Sequence, residues 1–493
     1  MKTKIKQLKL GIVAIVCIIA ISAIAAPAAA DYAGDHPLTV YEHGGIEGGL
    51  VYETVTDGSA YRVLLALPPA GWPTDLTQPI TISIPECAVV KTARLYNYYT
   101  WSTSDYGNGY VPGVPAEAEL ALTNAATGET WTRTCVHGYT DAQRPDVPNP
   151  IDYGNGVVQY WDSKGQGYVS KTYDYPSGTF AWNVTDLVTG SGTYIATIEN
   201  KDSTPTEGPA EKPWKWERFA TYGFGLLIVY EMDEGPGVEY WVAEGCDMLY
   251  NKTAYGYETA EMATTQAVFA GPEFELEDIA SADLTTVVSA SNYWWKIPPK
   301  NMVLFNDVEL GPSKAVSSYA IGVDTFGVLD LLSEEQNIAK IQDRGDYEAA
   351  HNAFLVVESP VPASVTIEPE TLNLQSNGQW VTAYIELPVC LNCDVANINA
   401  STVYLNDTIP AVTNTQYDFV TDPNIYLTDH DGDGILERMV KFDRADVIAY
   451  LETIDFEGET GSDKMVELTV TGNLFDGTAF EGSDIVRVIT PVE

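Results

Sequence analysis

The segment Asp429-His430-Asp431-Gly432-Asp433-Gly434-Ile435-Leu436-Glu437 puts carboxylates at its first, third and fifth positions and a glycine at its sixth. A hard cation takes about six to eight oxygen ligands, and a short loop of this kind can wrap one if the sixth residue permits a sharp turn. The spacing predicts a Ca2+ site with Asp429, Asp431 and Asp433 as side-chain ligands, the Ile435 carbonyl at the seventh position, and Glu437 at the ninth, directly or through water. An EF-hand would have Glu at the twelfth position. Here that residue is Val440, and the β-type run Met439 to Phe442 follows in place of a helix. The expected device is a calcium-clamped β-loop that stiffens its domain, with Asp443 either a further ligand or the cap of a helix starting near Arg444. A bare acidic turn is the alternative, because Asp-Gly pairs also favour plain turns.

The cysteines offer a second chemistry. Cys390-Leu391-Asn392-Cys393 has the two-residue spacing of redox and zinc sites, but no second such pair and no neighbouring His accompany it. A short-loop disulfide between Cys390 and Cys393 is expected, with Cys87 and Cys135 the next candidate pair and Cys246 a buried thiol. The odd count beyond the leader also permits an intermolecular bridge.

Catalytic patterns are sparse. His36, His43, His137, His351 and His430 show no zinc-protease spacing, and no nucleophile elbow or phosphate-cradling glycine loop occurs. Acidic pairs such as Asp233-Glu234 and Glu334-Glu335 read as solvated faces in a chain with 69 acids, so a non-enzyme is expected. Tyr96, Tyr98, Tyr99 and Trp101, then Trp214 and Trp216, then Tyr293, Trp294 and Trp295 form aromatic clusters. Each suits core packing, a subunit interface or a platform for sugar rings, and Trp214-Lys215-Trp216 beside Pro213 is the candidate exposed glycan platform.

With 26 Lys and Arg against 69 Asp and Glu, the net charge of −43 excludes a nucleic-acid grip, which needs clustered positive charge. A hydrophobic fraction of 45% excludes a disordered acidic tail. Residues 1–30 read as a secretory leader: Lys2, Lys4, Lys6 and Lys9 precede an apolar run from Leu10 to Ala26 and a small-residue site at Ala28-Ala29-Ala30. No second apolar stretch of spanning length follows, so no direct membrane span is expected once the leader is removed. Sequons at Asn183, Asn251, Asn399 and Asn406 fit exposure outside the cell as candidate N-glycosylation sites.

The elements that must position these residues are strands. Short β-type runs bounded by Gly, Pro, Asn and Asp recur from Leu38 onward, including Tyr61 to Leu67, Ile80 to Ile84, Val89 to Tyr99, Thr193 to Ile198, Phe224 to Tyr230 and Glu239 to Val242. Helices are expected at Val328 to Lys340 and Arg444 to Glu452. Motif order suggests an internal duplication. Val89–Leu95, Ala118–Asn124, Phe180–Leu187 and Phe224–Glu231 form one series, and Ile279–Leu284, Met302–Asn306, Tyr319–Asp324 and Ala353–Glu358 form the second. The resulting expectation is an all-β chain: two related jelly-roll-like β-sandwiches over 31–257 and 258–359, a linker at Ser359-Pro360-Val361-Pro362, and an immunoglobulin-like β-sandwich carrying the calcium loop over 360–493.

At Val89 to Ser102, Tyr175 to Tyr194, Gly223 to Glu231, Glu239 to Gly245 and Ala320 to Phe326 the chain resembles a family of exported methanogen-archaeal proteins classed only as a domain of unknown function. The tail is similar to a module common in microbial surface proteins, through Thr382 to Leu387, Asp429 to Gly434, Val440 to Arg444 and Phe480 to Asp484. These resemblances imply placement outside the cell or on its surface and supply no catalytic residue. Together with the leader they point to a structural or adhesive component of an archaeal envelope or sheath, associating with itself or with envelope proteins. The alternative is a secreted glycan-binding protein accessory to polysaccharide degradation.

Overall fold

A computed structural model describes residues 38–489, apart from 56–62, 67–72, 107–108, 111–116, 137–138, 142–156, 163–166, 173–176, 202–216, 250–258, 262, 290–300, 314–319, 346–347, 392 and 455–462. The expected leader over residues 1–30, Trp214, Trp216, Asn251 and the Tyr293 to Trp295 cluster lie outside the described residues. The expected all-β class is what the chain adopts.

A first group of strands comprises β1 (Thr39–Thr54), β2 (Asp75–Ile82), β3 (Val89–Tyr106), β4 (Glu117–Asn124), β5 (Thr130–Val136), β6 (Ser177–Asn183), β7 (Gly192–Asn200) and β8 (Glu217–Glu231). Their antiparallel sheet orders are β1-β8-β3-β6 and β2-β7-β4-β5. A second group comprises β9 (Gly237–Leu249), β10 (Thr264–Ala270), β11 (Ser281–Ser289), β12 (Met302–Phe305), β13 (Val308–Pro312), β14 (Ile321–Gly327), β15 (Gln336–Gln342) and β16 (Glu348–Glu358). Their orders, β9-β16-β11-β14 and β10-β15-β12-β13, repeat the first with each index raised by eight. Both groups follow the strand order of an eight-stranded jelly roll. The duplicated motifs fall on β3, β4, β6 and β8, then on β11, β12, β14 and β16, which are equivalent positions in the two rolls.

Strand β1 serves both rolls. Thr39–Glu47 pairs with β9, whereas Gly48–Thr54 pairs with β8. Gly48 sits at the changeover with φ +153, and a Cβ there would lie 2.0 Å from the Tyr230 carbonyl oxygen, so only glycine fits. The second roll therefore begins after the Met232 to Pro236 turn. Strand β9, which the sequence groups with the first sandwich through residue 257, belongs by its pairing with β16 to the second.

Alternation along β3 serves two cores at once, that of the first roll and one between the rolls. Ala93, Leu95 and Tyr99 enter the first sandwich with Leu120, Phe180 and Ile198, while Trp241, Phe269, Phe305 and Leu355 fill the second. On the other face of β3, Tyr96 and Tyr98 meet Val242, Phe354 and Leu227 between the rolls. Tyr96, Tyr98 and Tyr99 are fully buried, so these three pack cores and form no platform, while the Trp101 side chain lies outside the described set. Tyr99 lies flat across its cross-strand partner Gly178, where an added Cβ would stand 2.3 Å from the ring.

The tail forms its own sandwich. Strands β17 (Ser364–Glu368), β18 (Trp380–Glu386), β19 (Leu427–Thr428) and β20 (Glu437–Asp443) form a sheet in the order β17-β18-β20-β19. It packs on a second sheet built around β21 (Asp463–Asn473) and β22 (Ala479–Ile489), with Ile367, Val381, Ile385, Phe442, Leu468 and Val486 between them. Short helices α1 (Asp418–Thr421) and α2 (Pro423–Tyr426) precede β19, and α3 (Arg444–Leu451) follows β20. Asp443 caps α3, its Oδ1 accepting the Ala445 N–H at 2.9 Å, as the cap alternative expects.

One local expectation fails. Val328 to Lys340 is a 3-10 turn at Leu329–Leu331 followed by β15, because Asn337, Ala339 and Ile341 point inward between β10 and β12 and tertiary pairing overrides local propensity. The Ser359 to Pro362 linker between β16 and β17 is held by its own bonds: Ser359 Oγ accepts the Gly237 N–H at 2.9 Å, and Val361–Pro362 pairs in parallel with β22.

The disulfide assignments also change. Cys390 is bonded to Cys87, with Cα atoms 5.8 Å apart, and Cys393 is a free, half-buried thiol. The turn holding Cys87, closed by the Ala88 N–H on the Pro85 carbonyl, meets the Val389–Leu391 turn of the tail. A partner 303 residues away is invisible to spacing arguments, which see only the local Cys-x-x-Cys. Cys135 lies in β5, with its side chain outside the described set, and Cys246 is buried.

Candidate metal centre

The acidic loop connects β19 to β20 and folds by its own side chains. Asp429 Oδ1 accepts the Gly432 N–H at 2.8 Å, Asp431 Oδ1 accepts that of Asp433 at 3.1 Å, and Asp433 Oδ1 accepts that of Ile435 at 2.7 Å. Gly432 and Gly434 adopt φ +85 and +95, which the successive tight turns require. Glu437 is buried at the start of β20, and its Oε2 accepts the His430 N–H at 2.7 Å, tying the loop's end to its beginning. The His430 ring stacks on Tyr384 at 3.6 Å, and its Nε2 lies 3.5 Å from Glu368 Oε1.

Three carboxylates converge here: Asp431 and Asp433 from the loop and Glu386 from the end of β18, with one oxygen of each lying within 4.8 Å of the others. Two oxygens on opposite sides of one Ca2+ at about 2.4 Å would stand about 4.8 Å apart, so the spacing and the oxygen-only donor set suit a hard cation. Burial, and then the negative charges of Asp433, Asp431, Glu437 and Glu234, raise the Glu386 carboxyl above its ordinary range. A cation would offset that repulsion.

Of the residues expected to bind calcium, Asp431 and Asp433 are in this cluster, while Asp429 and Glu437 each commit one oxygen to the loop backbone and Ile435 follows as the loop's seventh residue. Glu386 escaped sequence reasoning. Its signal was an outward position on a strand, and only the β18–β20 register, which sets Ile385 opposite Arg438, carries it to the loop. Among the sequons, Asn183 is exposed on β6. Asn399 Oδ1 accepts the Ser401 N–H at 3.2 Å, and Asn406 Nδ2 donates to the Tyr450 hydroxyl at 2.8 Å.

Among the described residues no helix is long and apolar enough to cross a membrane. The family described as "Protein of unknown function (DUF3344)" matches residues 31–358. No curated protein matches the chain. Solved structures that align with it include PNGase F, a glycosylasparaginase from Flavobacterium meningosepticum, at 13% identity over 63% of this chain and 96% of that one, with a TM-score of 0.20. The STIV MCP aligns at 12% identity over 64% and 98%, with a TM-score of 0.17. A β-glucuronidase from Ruminococcus gnavus aligns at 9% identity over 54% and 40%, with a TM-score of 0.15. The expectation of a non-enzyme is corrected accordingly: enzymes are among the aligned structures, so that exclusion is withdrawn, and scores this low assign no activity in its place.

Proposed function

Because the chain belongs to the DUF3344 family, whose function is unknown, we propose its role from its own chemistry: a secreted cell-surface protein, structural or adhesive, whose tail domain is stiffened by calcium. The observation that carries this reading is the Cys87–Cys390 bond between the first jelly roll and the tail, since disulfides of this kind persist in oxidising compartments. The leader pattern of residues 1–30 and the exposed Asn183 sequon agree with it. Calcium at Glu386, Asp431 and Asp433 would join the end of β18 to the β19–β20 loop and hold the sheet edge rigid. With an acid excess this large, divalent cations also suit the chain's surroundings outside the cell. The duplicated jelly rolls are the surfaces that would dock on envelope proteins or on further copies.

Immunogold labelling of native cells, combined with light scattering of the purified protein, tests the reading. Label at the cell boundary and assembly with itself or with envelope material are expected. Cytoplasmic label, or a monomer shed freely into the medium, would overturn it.

A further inference from the structure

The outer face of the tail sheet carries a site that the calcium reading does not use. Alternation along β18 sends Val381, Ala383 and Ile385 into the core and sets Trp380, Thr382 and Tyr384 on the opposite face. Between this row and the end of β17 lies a shallow depression of about 480 Å³ lined by Glu368, Pro369, Glu370, Trp380 and Thr382. That volume falls within the range of about 300–1,000 Å³ common for small-molecule sites. Trp380 is braced by the rings of Tyr417 at 5.3 Å and Phe419 at 5.6 Å, both T-shaped to the indole and stacked on each other at 5.0 Å. Lys441, the cross-strand partner of Thr382, donates from Nζ to Thr382 Oγ1 at 3.0 Å and lies 5.5 Å from the Phe419 ring centre.

We propose that this groove binds a neutral oligosaccharide. A pyranose has an apolar C–H face and a rim of hydroxyls that both donate and accept. The half-buried Trp380 indole lines the groove with its position already fixed by two neighbouring rings, so little ordering entropy is lost when a sugar contacts it. Glu368, Glu370 and Thr382 line the same groove and bring carboxylates that accept from hydroxyls and a hydroxyl that is itself held by the Lys441 ammonium. The two carboxylates, on a chain of net charge −43, repel a polyanion. An open, shallow shape suits a chain laid across the sheet. This site deepens the adhesive role without resting on calcium, and it is distinct from the Trp214 and Trp216 platform expected from the sequence.

The test is calorimetric titration of the full-length protein with neutral hexasaccharides of glucose, mannose and N-acetylglucosamine, with and without calcium. At least one should bind saturably, with Kd of about 0.1–1 mM. Trp380→Ala should weaken it at least about tenfold, Trp380→Phe should recover most of the loss, and Phe475→Ala, an exposed aromatic on the β21–β22 turn, should change nothing. Melting curves of each variant separate a lost site from a lost fold. Sugar binding by a protein that takes up no calcium sustains this inference and sinks the calcium reading alone. No saturable binding up to about 10 mM, equal binding by the wild type and a folded Trp380→Ala, or binding confined to polyanionic glycans would overturn the proposal.

Discussion

Arg94 and Glu244 form a buried bidentate pair across the interface of the two jelly rolls, Nε to Oε1 at 2.9 Å and Nη2 to Oε2 at 2.6 Å. The Tyr96 hydroxyl donates to the same Oε1 at 2.7 Å, and Tyr98 reaches across to Asn352 Oδ1 at 2.9 Å. Burying two charges costs desolvation, and the pair offsets that cost only while both partners are present. Glu244→Ala should therefore destabilise the protein by about 3–5 kcal/mol, because the guanidinium is left buried without its carboxylate. Arg94→Met with Glu244→Leu should recover most of that loss. Urea denaturation of the two variants checks this, and a single-variant loss below about 1 kcal/mol would show that the pair does not tie the rolls together.

His351 makes stability depend on pH. Its Nδ1 lies 2.7 Å from Thr179 Oγ1 and its Nε2 2.7 Å from Ser289 Oγ, with the Tyr98 ring 4.7 Å away. Burial lowers the imidazole pKa to about 3, whereas the unfolded value is about 6.5. The unfolded chain thus binds the extra proton first. The stabilising contribution is complete above about pH 6.5 and is lost as the pH falls towards 3. Against His351→Gln, the wild type should lose about 3 kcal/mol more between about pH 6.5 and pH 4. Denaturation midpoints that run parallel in the two proteins across that range would refute the assignment.

The parts of this fold that could be read from the sequence are those that depend on local order. Alternation along Val89 to Tyr99 gives the strand, and the motif series gives the duplication, because equivalent strands of two jelly rolls keep similar residues in the same succession. What escaped depends on which distant strands become neighbours. Glu386 is one acid among 69 until the β18–β20 register sets it beside the loop. Val328 to Lys340 carries enough helix-favouring residues to mislead, and only the flanking β10 and β12 make it a strand. The Trp380 groove is likewise hidden, since α1, which braces the indole, lies well beyond β18 in the chain.

Glu386 separates a cluster-built calcium site from one formed by the loop alone. If Glu386, Asp431 and Asp433 share one ion, alanine at any of the three should weaken binding about tenfold or more, whereas a self-contained loop would ignore Glu386→Ala. With Kd of about 0.1–1 mM, about 10 mM calcium should add roughly 1–3 kcal/mol of stability. Because burial and the neighbouring carboxylates raise the Glu386 pKa, affinity should fall on acidification earlier than for an ordinary carboxylate site. Calorimetry on the full chain at about pH 7 and pH 5 measures both effects. Full affinity in Glu386→Ala would exclude it as a ligand.

Cys390 has two sulfurs it can reach in principle, Cys393 by spacing and Cys87 by the fold, and the fold selects Cys87. Burial, followed by the charge of Asp476, raises the Cys393 thiol pKa, so little of it is present as the attacking thiolate that could displace Cys87 from the bond. Alkylation under denaturing, non-reducing conditions should therefore mark Cys393 and spare Cys390, and peptide mapping should recover the Cys87 and Cys390 peptides joined. In Cys87→Ser the constraint on Cys390 is gone, and oxidation should close the short Cys390–Cys393 loop instead. That variant should also melt with the tail uncoupled from the jelly rolls, because the covalent tie between them is lost. A wild-type digest in which Cys390 and Cys393 are joined and Cys87 is alkylated would show that no disulfide ties the tail to the jelly rolls.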